Sequence, residues 1–181
     1  MVYVYLADGF EEIEALTVVD ILRRADITVQ TVSMMRDLFV TGAHDIPIIA
    51  DMLFEDITHE HCRMMILPGG GPGSQRLLKH EGLRTALIEC AEAGGKLAAI
   101  CAAPMVLAHA GLLDGKAATI YDGMQDELPK ASYTKQNVVI DGNIITSRGP
   151  GTAMQFAIKL VDILAGEGTA AHVASALIYE F

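Results

Sequence analysis

Short, nearly continuous apolar runs that end at turns, each followed by a helical pattern, recur along this chain. They cover residues 2–6, 63–67 and 96–100. Runs of this length without polar alternation are typical of strands that are buried on both faces of a parallel sheet. Strands that alternate with helices therefore predict a three-layer α/β fold with a mostly parallel central sheet.

Periodicity and turn residues place the other elements. We predict strands over residues 27–33, 138–140 and 144–146, a further strand within residues 116–121, and a hairpin excursion over residues 38–50. We predict helices over residues 11–25, 74–80, 83–93, 152–164 and 169–177. Because no repeat, low-complexity tract or Pro/Ser-rich linker divides the sequence, we expect one domain over residues 1–181.

Composition argues against several classes of protein. With 13 basic and 23 acidic residues the formal net charge is −10, which argues against general nucleic-acid binding. No apolar run reaches the roughly 18 residues that span a bilayer, and no basic-then-apolar leader opens the sequence. The three cysteines are irregularly spaced, which favours a reducing compartment over a disulfide framework. We therefore expect a cytoplasmic protein with no membrane partner.

Cys101, directly after the third apolar run, is the strongest candidate for chemistry. Pro104 would fall in the first turn of the next helix, where its missing N–H costs nothing. Cys101 then faces the unpaired N–H groups and the positive end of that helix, which predicts a lowered thiol pKa. Open α/β sheets also bind ligands at the carboxyl ends of their strands. A buried, inert cysteine is the alternative, and this segment alone does not separate the two.

A glycine-rich loop over residues 68–73 follows the second apolar run. Glycines let main-chain N–H groups approach a ligand closely, and such groups can stabilise an oxyanion. The loop lacks the Lys-Ser/Thr of a phosphate loop and the spacing of a dinucleotide-binding loop. A tight turn without any ligand is the alternative.

Three acidic residues, Glu11, Glu12 and Glu14, open the first predicted helix. Acidic residues in a first turn stabilise the helix dipole, which is sufficient to explain Glu11 and Glu12. Glu14 lies nearer the apolar face, so partial desolvation should raise its pKa and allow it to donate a proton at neutral pH. From the pattern alone, a carboxylate on the helix surface is the simpler interpretation.

The segment around residue 60 superficially resembles a metal-binding cluster, with His59, Glu60, His61 and Cys62 in succession. No second group of ligands stands at a zinc-like spacing, so we predict solvated loop residues and no metal. Cys62 and Cys90 are both interpreted as packing residues.

Five motifs occur in one order along the chain: DGFEEIE at residues 8–14, VDILRRA at 19–25, LPGG at 67–70, AICAAP at 99–104 and TSRGPGT at 146–152. Together they closely resemble the ThiJ/PfpI superfamily, specifically its Parkinson-disease-protein (DJ-one-like) branch. The resemblance implies a flavodoxin-like three-layer sandwich of the class I glutamine amidotransferase-like type, usually a homodimer.

The resemblance also implies roles for individual residues. Cys101 would be the reactive cysteine on a strained turn, and Glu14 the protonated acid that hydrogen-bonds its sulfur. The backbone N–H groups of Gly69, Gly70 and Ala102 would line an oxyanion or sulfinate pocket.

Three positions depart from the pattern of the superfamily. His44 replaces an arginine that the branch often carries in the hairpin excursion, where it would be an anion contact. Ala102 stands where the protease-like members carry a histidine, which argues against peptidase activity. Tyr121 lies in a segment where some members carry a histidine, so glyoxalase-type chemistry would need Glu14 to make both proton transfers.

We therefore hypothesise a cofactor-independent enzyme of the glyoxalase or deglycase type that acts on reactive carbonyls such as methylglyoxal, or on their adducts, through Cys101 and Glu14. The alternatives are a redox sensor or chaperone in which Cys101 is oxidised to a sulfinate and, less favoured, an amidase or peptidase. We expect a homodimer from the resemblance and from an apolar stripe on the first helix that includes Leu16 and Val19. Packing of that stripe on the sheet alone is the alternative.

Overall fold

A computed structural model describes residues 1–59 and 61–180 of the chain. The strands are β1 (Val2–Leu6), β2 (Val29–Ser33), β3 (Phe39–Thr41), β4 (Pro47–Ile49), β5 (Met52–Leu53), β6 (Met64–Leu67), β7 (Lys96–Ile100), β8 (Ala117–Ala118), β9 (Ser132–Tyr133), β10 (Val138–Asp141) and β11 (Ile144–Ser147). The helices are α1 (Glu12–Arg24), α2 (Gly71–Lys79), α3 (Glu81–Glu92), α4 (Pro104–His109), α5 (Ala153–Ala165) and α6 (Glu167–Ala176). Short 3-10 helices cover Phe54–Asp56, Gln125–Glu127 and Pro150–Thr152.

Seven strands form the central sheet, in the order β10-β11-β7-β6-β1-β2-β5. Every neighbouring pair is parallel except β10 and β11, which form an antiparallel hairpin at the edge. Strands β3 and β4 form a separate small hairpin, as predicted. The expectation of a mostly parallel α/β sheet is confirmed.

Helices cover both faces of the sheet because successive strand residues point to opposite sides. Along β1, Val4 and Leu6 belong to the apolar cluster that includes α1, α5 and α6, whereas Tyr3 and Tyr5 belong to the cluster that includes α2, α3 and α4. The buried positions of these strands are therefore apolar on both sides, which explains the nearly continuous apolar runs in the sequence.

The structure differs from the predicted elements mainly at their ends. The predicted strand within residues 116–121 shortens to β8, because the N–H of Thr119 bonds to the side chain of Thr146 at 2.9 Å instead of to a neighbouring strand. Strand β2 begins later than predicted because Ile27 is still held to α1, its N–H donating to the Leu22 carbonyl at 3.0 Å. In the described part of the chain, no helix combines the length and the apolar composition needed to cross a membrane.

The central strands β1, β6 and β7 are adjacent and parallel, so their carboxyl ends meet at one edge of the sheet. The loop before α1 leaves β1 there, the glycine-rich loop leaves β6, and Cys101 follows β7. This edge brings the candidate residues of the sequence analysis together.

Candidate active site at the carboxyl edge of the sheet

Cys101 has a backbone conformation that residues other than glycine rarely adopt. Its φ is +64°, and such a conformation costs on the order of 1–3 kcal/mol. Two hydrogen bonds hold it: the Cys101 N–H donates to the Ser147 carbonyl at 2.9 Å, and its own carbonyl accepts from the Tyr121 N–H at 2.9 Å. The cysteine therefore lies on a strained turn between β7 and α4, braced by the segments on either side.

Glu14 lies inside the protein, with no exposed surface. Its Oε2 accepts a hydrogen bond from the Gly69 N–H at 2.7 Å, and its carboxyl group also hydrogen-bonds the Cys101 side chain. The other oxygen, Oε1, is buried without a protein hydrogen-bond partner among the described residues. A carboxylate left with an unsatisfied oxygen in apolar surroundings is costly, which favours the protonated acid.

Two glycines make this close approach feasible. A Cβ atom on Gly69 would lie 2.5 Å from the Cβ of Cys101, so any larger residue would displace the thiol. Gly70 has φ +88°, and a Cβ there would lie 2.6 Å from the backbone nitrogen of Glu11. The glycine-rich loop therefore packs its backbone directly against the cysteine and the start of α1.

Backbone N–H groups also surround the sulfur. Those of Gly70 and Ala102 hydrogen-bond the Cys101 thiol. The Gly69 N–H, which the resemblance also assigned to this pocket, donates to Glu14 Oε2. The donors that face the sulfur therefore come from Gly70 and Ala102, while Gly69 orients the acid.

The pKa values of the two acidic groups are linked. Burial raises the pKa of Glu14 to about 7, although the hydrogen bond from Gly69 acts to lower it. Burial, followed by the negative charge and the hydrogen bond of Glu14, raises the pKa of Cys101 to about 12, while the N–H groups of Gly70 and Ala102 work in the opposite direction. The prediction of a lowered thiol pKa is therefore wrong, because the sequence revealed the helix terminus but not the burial, which has the largest effect on the thiol.

The location of the shared proton decides the state of this pair. Two of the effects that raise the thiol pKa come from Glu14 and depend on its negative charge. When Glu14 holds the proton, that repulsion disappears and its O–H can donate to a thiolate. A thiolate at Cys101 is therefore less costly when Glu14 is neutral than when it is ionised, although burial still raises the thiol pKa.

His44 is engaged by carboxylates at the rim of this edge. Its Nδ1 lies 2.7 Å from Glu12 Oε2 and 3.7 Å from Glu11 Oε2, and its backbone N–H donates to Glu12 Oε1 at 2.7 Å. The anion contact expected at this position is therefore occupied by a carboxylate of the protein itself. Among the described residues, Glu11, Glu12 and His44 also form the one group of three His, Cys, Asp or Glu side chains that are close enough to hold a metal ion. Their ligand atoms lie within 4.8 Å of one another.

The segment that superficially resembled a metal cluster is only partly described, because Glu60 lies outside the described residues. The prediction of a solvated loop is wrong for His59, whose Nε2 is hydrogen-bonded to the Tyr5 hydroxyl at 3.0 Å and whose ring packs against Phe54. Cys62 and Cys90 do pack against the core, as predicted, but they also contact each other.

Sequence reasoning did not identify a cavity beside Tyr121, the residue whose N–H donates to the Cys101 carbonyl. Arg148 makes a two-pronged ion pair with Asp122 at 2.8 and 2.9 Å. These residues, with Tyr121 and the turn over residues 149–152, line a cavity of about 240 Å³. The long separation of residues 122 and 148 along the chain left no local signal for this pairing.

A cysteine on a strained strand-to-helix turn, with a buried acid and N–H donors around it, defines an α/β protein with a nucleophile at a strand end. The DJ-1/PfpI family model matches residues 1–163. The chain is 38% identical over 180 residues to protein dj-1beta of Drosophila melanogaster, covering 98% of this chain and 96% of that protein. The crystal structure of Drosophila melanogaster DJ-1beta matches with a TM-score of 0.96, covering 99% of this chain and 98% of that one. The chain therefore belongs to the DJ-1/PfpI family, which confirms the resemblance and the fold class.

Other relatives differ in length or in the activity that their names state. Protein DJ-1 homolog A of Arabidopsis thaliana is 38% identical over 178 residues, which are 98% of this chain but 45% of that protein. The chain thus spans less than half the length of this relative. Glutathione-independent glyoxalase DJR-1.2 of Caenorhabditis elegans is 33% identical over 158 residues, covering 86% of this chain and 83% of that protein.

Proposed function

We propose that this protein is a cofactor-independent glyoxalase or deglycase that acts on small reactive carbonyls such as methylglyoxal, or on their early adducts with thiols and amines. The observation that carries the proposal is the contact between Cys101 and a buried Glu14 whose pKa is raised to about 7. A nucleophile then lies beside a group that can both release and accept a proton near neutral pH. The relative named as a glutathione-independent glyoxalase supports the same reaction class.

In this proposal Cys101 attacks the aldehyde carbon of methylglyoxal as a thiolate, and the resulting oxyanion takes the proton of Glu14 to give a hemithioacetal. The N–H groups of Gly70 and Ala102, which hydrogen-bond the sulfur of the free protein, would stabilise the oxyanion that forms beside it. The Glu14 carboxylate then removes the proton from the former aldehyde carbon and delivers it to the neighbouring carbon through an enediol. Hydrolysis of the resulting thioester yields lactate and regenerates the thiol.

The test is lactate production from methylglyoxal by the wild-type protein and by Cys101→Ala. We expect the variant to lose activity, since no bond to the substrate can form. Cys62→Ser is the matched control, because it removes a thiol outside the site and should keep the wild-type rate under reducing conditions. Equal lactate production by the wild-type protein and Cys101→Ala would exclude the mechanism.

A second candidate is a sensor in which Cys101 is oxidised to a sulfinate without turnover. The same N–H groups favour it, because they could hold sulfinate oxygens as readily as an oxyanion. Mild peroxide treatment should then add two oxygen atoms to the peptide that contains Cys101, in a protein that forms no lactate. A peptidase or amidase remains less favoured, since Ala102 follows the cysteine.

We also propose a cytoplasmic homodimer. Helix α1 exposes 55% of Ile13 and 37% of Leu16, and the adjacent hairpin exposes 64% of Phe39 and 65% of Ile49. Val19 of the expected stripe is only 6% exposed and packs inside the protein, so the proposed surface combines α1 with the hairpin. Light scattering at micromolar concentration tests it, and a monomer there would reject it.

A further inference from the structure

The two cysteines outside the candidate active site form a pair. Cys62 lies in the irregular segment before β6, and Cys90 lies near the end of α3. Both side chains belong to the apolar cluster on the α3 face of the sheet, and a hydrogen bond joins the two thiols. Residues 28 positions apart are thus held in direct contact, which goes beyond the packing role expected from the sequence.

The backbone around the pair keeps the thiols together. A Cβ on Gly95 would collide with the sulfur of Cys90 and lie 3.0 Å from the Cys62 carbonyl, so the absence of a side chain there leaves room for the pair. The Gly95 N–H donates to the Cys90 carbonyl at 2.8 Å, and the Cys62 N–H donates to the His59 carbonyl at 3.1 Å. Both cysteines are therefore fixed by hydrogen bonds of their own backbones.

The two sulfurs differ in their access to solvent. A surface cavity of about 480 Å³ is lined by His59, His61, Cys62, Glu89, Cys90 and Ala93. Cys62 is partly exposed in this cavity, whereas Cys90 is only 4% exposed. A small solute in the cavity therefore meets Cys62 first, with Cys90 behind it.

The pKa values of the two thiols indicate the same order of reaction, with Cys62 before Cys90. The hydrogen bond from Cys90 lowers the pKa of Cys62 against the effect of burial, whereas the pKa values of Cys90 and Cys101 are raised. Because the thiolate is the reactive form of cysteine, Cys62 is the more readily ionised and more nucleophilic thiol of the pair. The partly exposed cysteine is thus the attacking thiol, and the buried one can resolve the product.

We propose that Cys62 and Cys90 form a second, redox-active site, distinct from Cys101, in which a hydroperoxide converts the two thiols into an intramolecular disulfide. The Cys62 thiolate attacks the terminal peroxide oxygen, the O–O bond breaks, and Cys62 becomes a sulfenic acid. The departing alkoxide or hydroxide takes up the proton that Cys62 released on ionisation and leaves as an alcohol or water. The Cys90 sulfur then displaces hydroxide from Cys62, and the Cys90 proton converts that hydroxide to water. The two thiols lose two electrons and two protons, and one hydroperoxide is reduced.

Tryptic mapping without reduction tests the proposal on the wild-type protein. Trypsin places Cys62 in the peptide of residues 37–63, Cys90 in residues 85–96 and Cys101 in residues 97–116. After treatment with hydrogen peroxide and alkylation of the remaining thiols, we expect peptides 37–63 and 85–96 to be joined, two hydrogens lighter than their sum. Cys101→Ser should yield the same joined peptide in the same amount.

Variants and isotope labels separate this outcome from its alternatives. Cys90→Ser should abolish the joined peptide and leave Cys62 as a sulfenic acid, which dimedone traps. This variant tests the attacking role of Cys62 while Cys62 itself is unchanged. In a mixture of ¹⁵N-labelled and unlabelled protein, an intramolecular disulfide joins only peptides with the same label. The proposal is overturned if both thiols remain alkylatable at peroxide doses that oxidise Cys101, or if the joined peptides carry mixed labels.

Discussion

Glu12 and Glu14 lie two residues apart on α1, and both are buried, yet their pKa values move in opposite directions. Burial raises the pKa of Glu14 to about 7. At Glu12 burial acts in the same sense, but the hydrogen bonds from the side chain and backbone of His44 outweigh it and lower the pKa. The difference lies in the balance of two effects: burial outweighs the hydrogen bonds from Gly69 and Cys101 that lower the pKa of Glu14, whereas the hydrogen bonds from His44 outweigh burial at Glu12.

This comparison separates two tasks within a single helical turn. A carboxyl group that keeps its proton to neutral pH can serve in proton transfer, whereas a carboxylate fixed by an imidazole and an N–H is suited to holding structure. Through His44, Glu12 fastens the β3–β4 hairpin to the start of α1. Substitutions that remove proton transfer at Glu14 or the structural contact of Glu12, each without the other, test whether the two roles are separate.

The largest expected contrast is in catalysis. Glu14→Gln keeps the size of the side chain but cannot transfer a proton, so lactate formation from methylglyoxal should fall by about 10²–10⁴-fold. Glu12→Gln, the matched change two residues before Glu14 on α1, should reduce the rate less than about tenfold. Steady-state rates of both variants measure the contrast, and similar losses in the two would contradict it.

The next effect is on stability as a function of pH. The pKa of Glu14 is about 7 in the folded protein and 4.5 as its ordinary value, so the folded state holds an extra proton between these values. This contribution is complete below pH 4.5 and is lost as the pH rises through 7. Relative to Glu14→Gln, the wild-type free energy of unfolding should therefore fall by about 3 kcal/mol across that window. Urea titrations at pH 4.5 and 8 measure it, and a constant difference between the two proteins would mean that folding leaves the pKa of Glu14 at its ordinary value.

The reactivity of Cys101 should respond to Glu14 by about ten- to a hundredfold. At pH 6, where Glu14 is protonated, its O–H can donate to the thiolate, and a hydrogen bond to a charged group contributes about 1.5–3 kcal/mol. Glu14→Ala removes that donor and should slow alkylation by iodoacetamide accordingly, while Glu14→Gln keeps a donor and should lie between. Rates measured against pH for the three proteins test this. An unchanged profile in Glu14→Ala would show that the acid does not set the state of the thiol.

The sequence was sufficient for those features that depend on local patterns. Apolar runs predicted β1, β6 and β7, and the spacing of Pro104 from Cys101 predicted where α4 begins. The pattern placed Glu14 nearer the apolar side of a helix, but only the family resemblance gave it a role beside Cys101. The partners of these residues were less accessible, since the ion pair of Arg148 with Asp122 and the contact of Cys62 with Cys90 join segments that only the folded chain brings together.

The thiol of Cys101 illustrates why electrostatics was harder to predict than position. A helix terminus can be read from the sequence, and it favours a thiolate. Desolvation of the thiol depends on how deeply the folded chain buries it. The charge of Glu14 affects the thiol pKa only because the fold brings the two side chains into contact. Both effects raise the thiol pKa, so the sign of the shift followed from the packing.

The smallest expected effect belongs to His44. Its hydrogen bond to Glu12, followed by the charge of Glu11, raises its pKa above 6.5. The folded state therefore holds an extra proton above pH 6.5, and this stabilisation is complete below that value and is lost as the pH rises through the folded pKa. Glu12 stabilises the fold above its ordinary pKa of 4.5, and this contribution is lost as the pH falls through its lowered pKa. The pair is therefore most stabilising between pH 4.5 and 6.5.

His44→Gln should lower stability in that window and progressively less above it, a trend that melting temperatures at pH 5.5 and 8.5 would reveal. The same loss at both pH values would mean that the imidazole acts through a hydrogen bond that does not need its charge, and no loss at either would mean that the backbone hydrogen bond to Glu12 is sufficient.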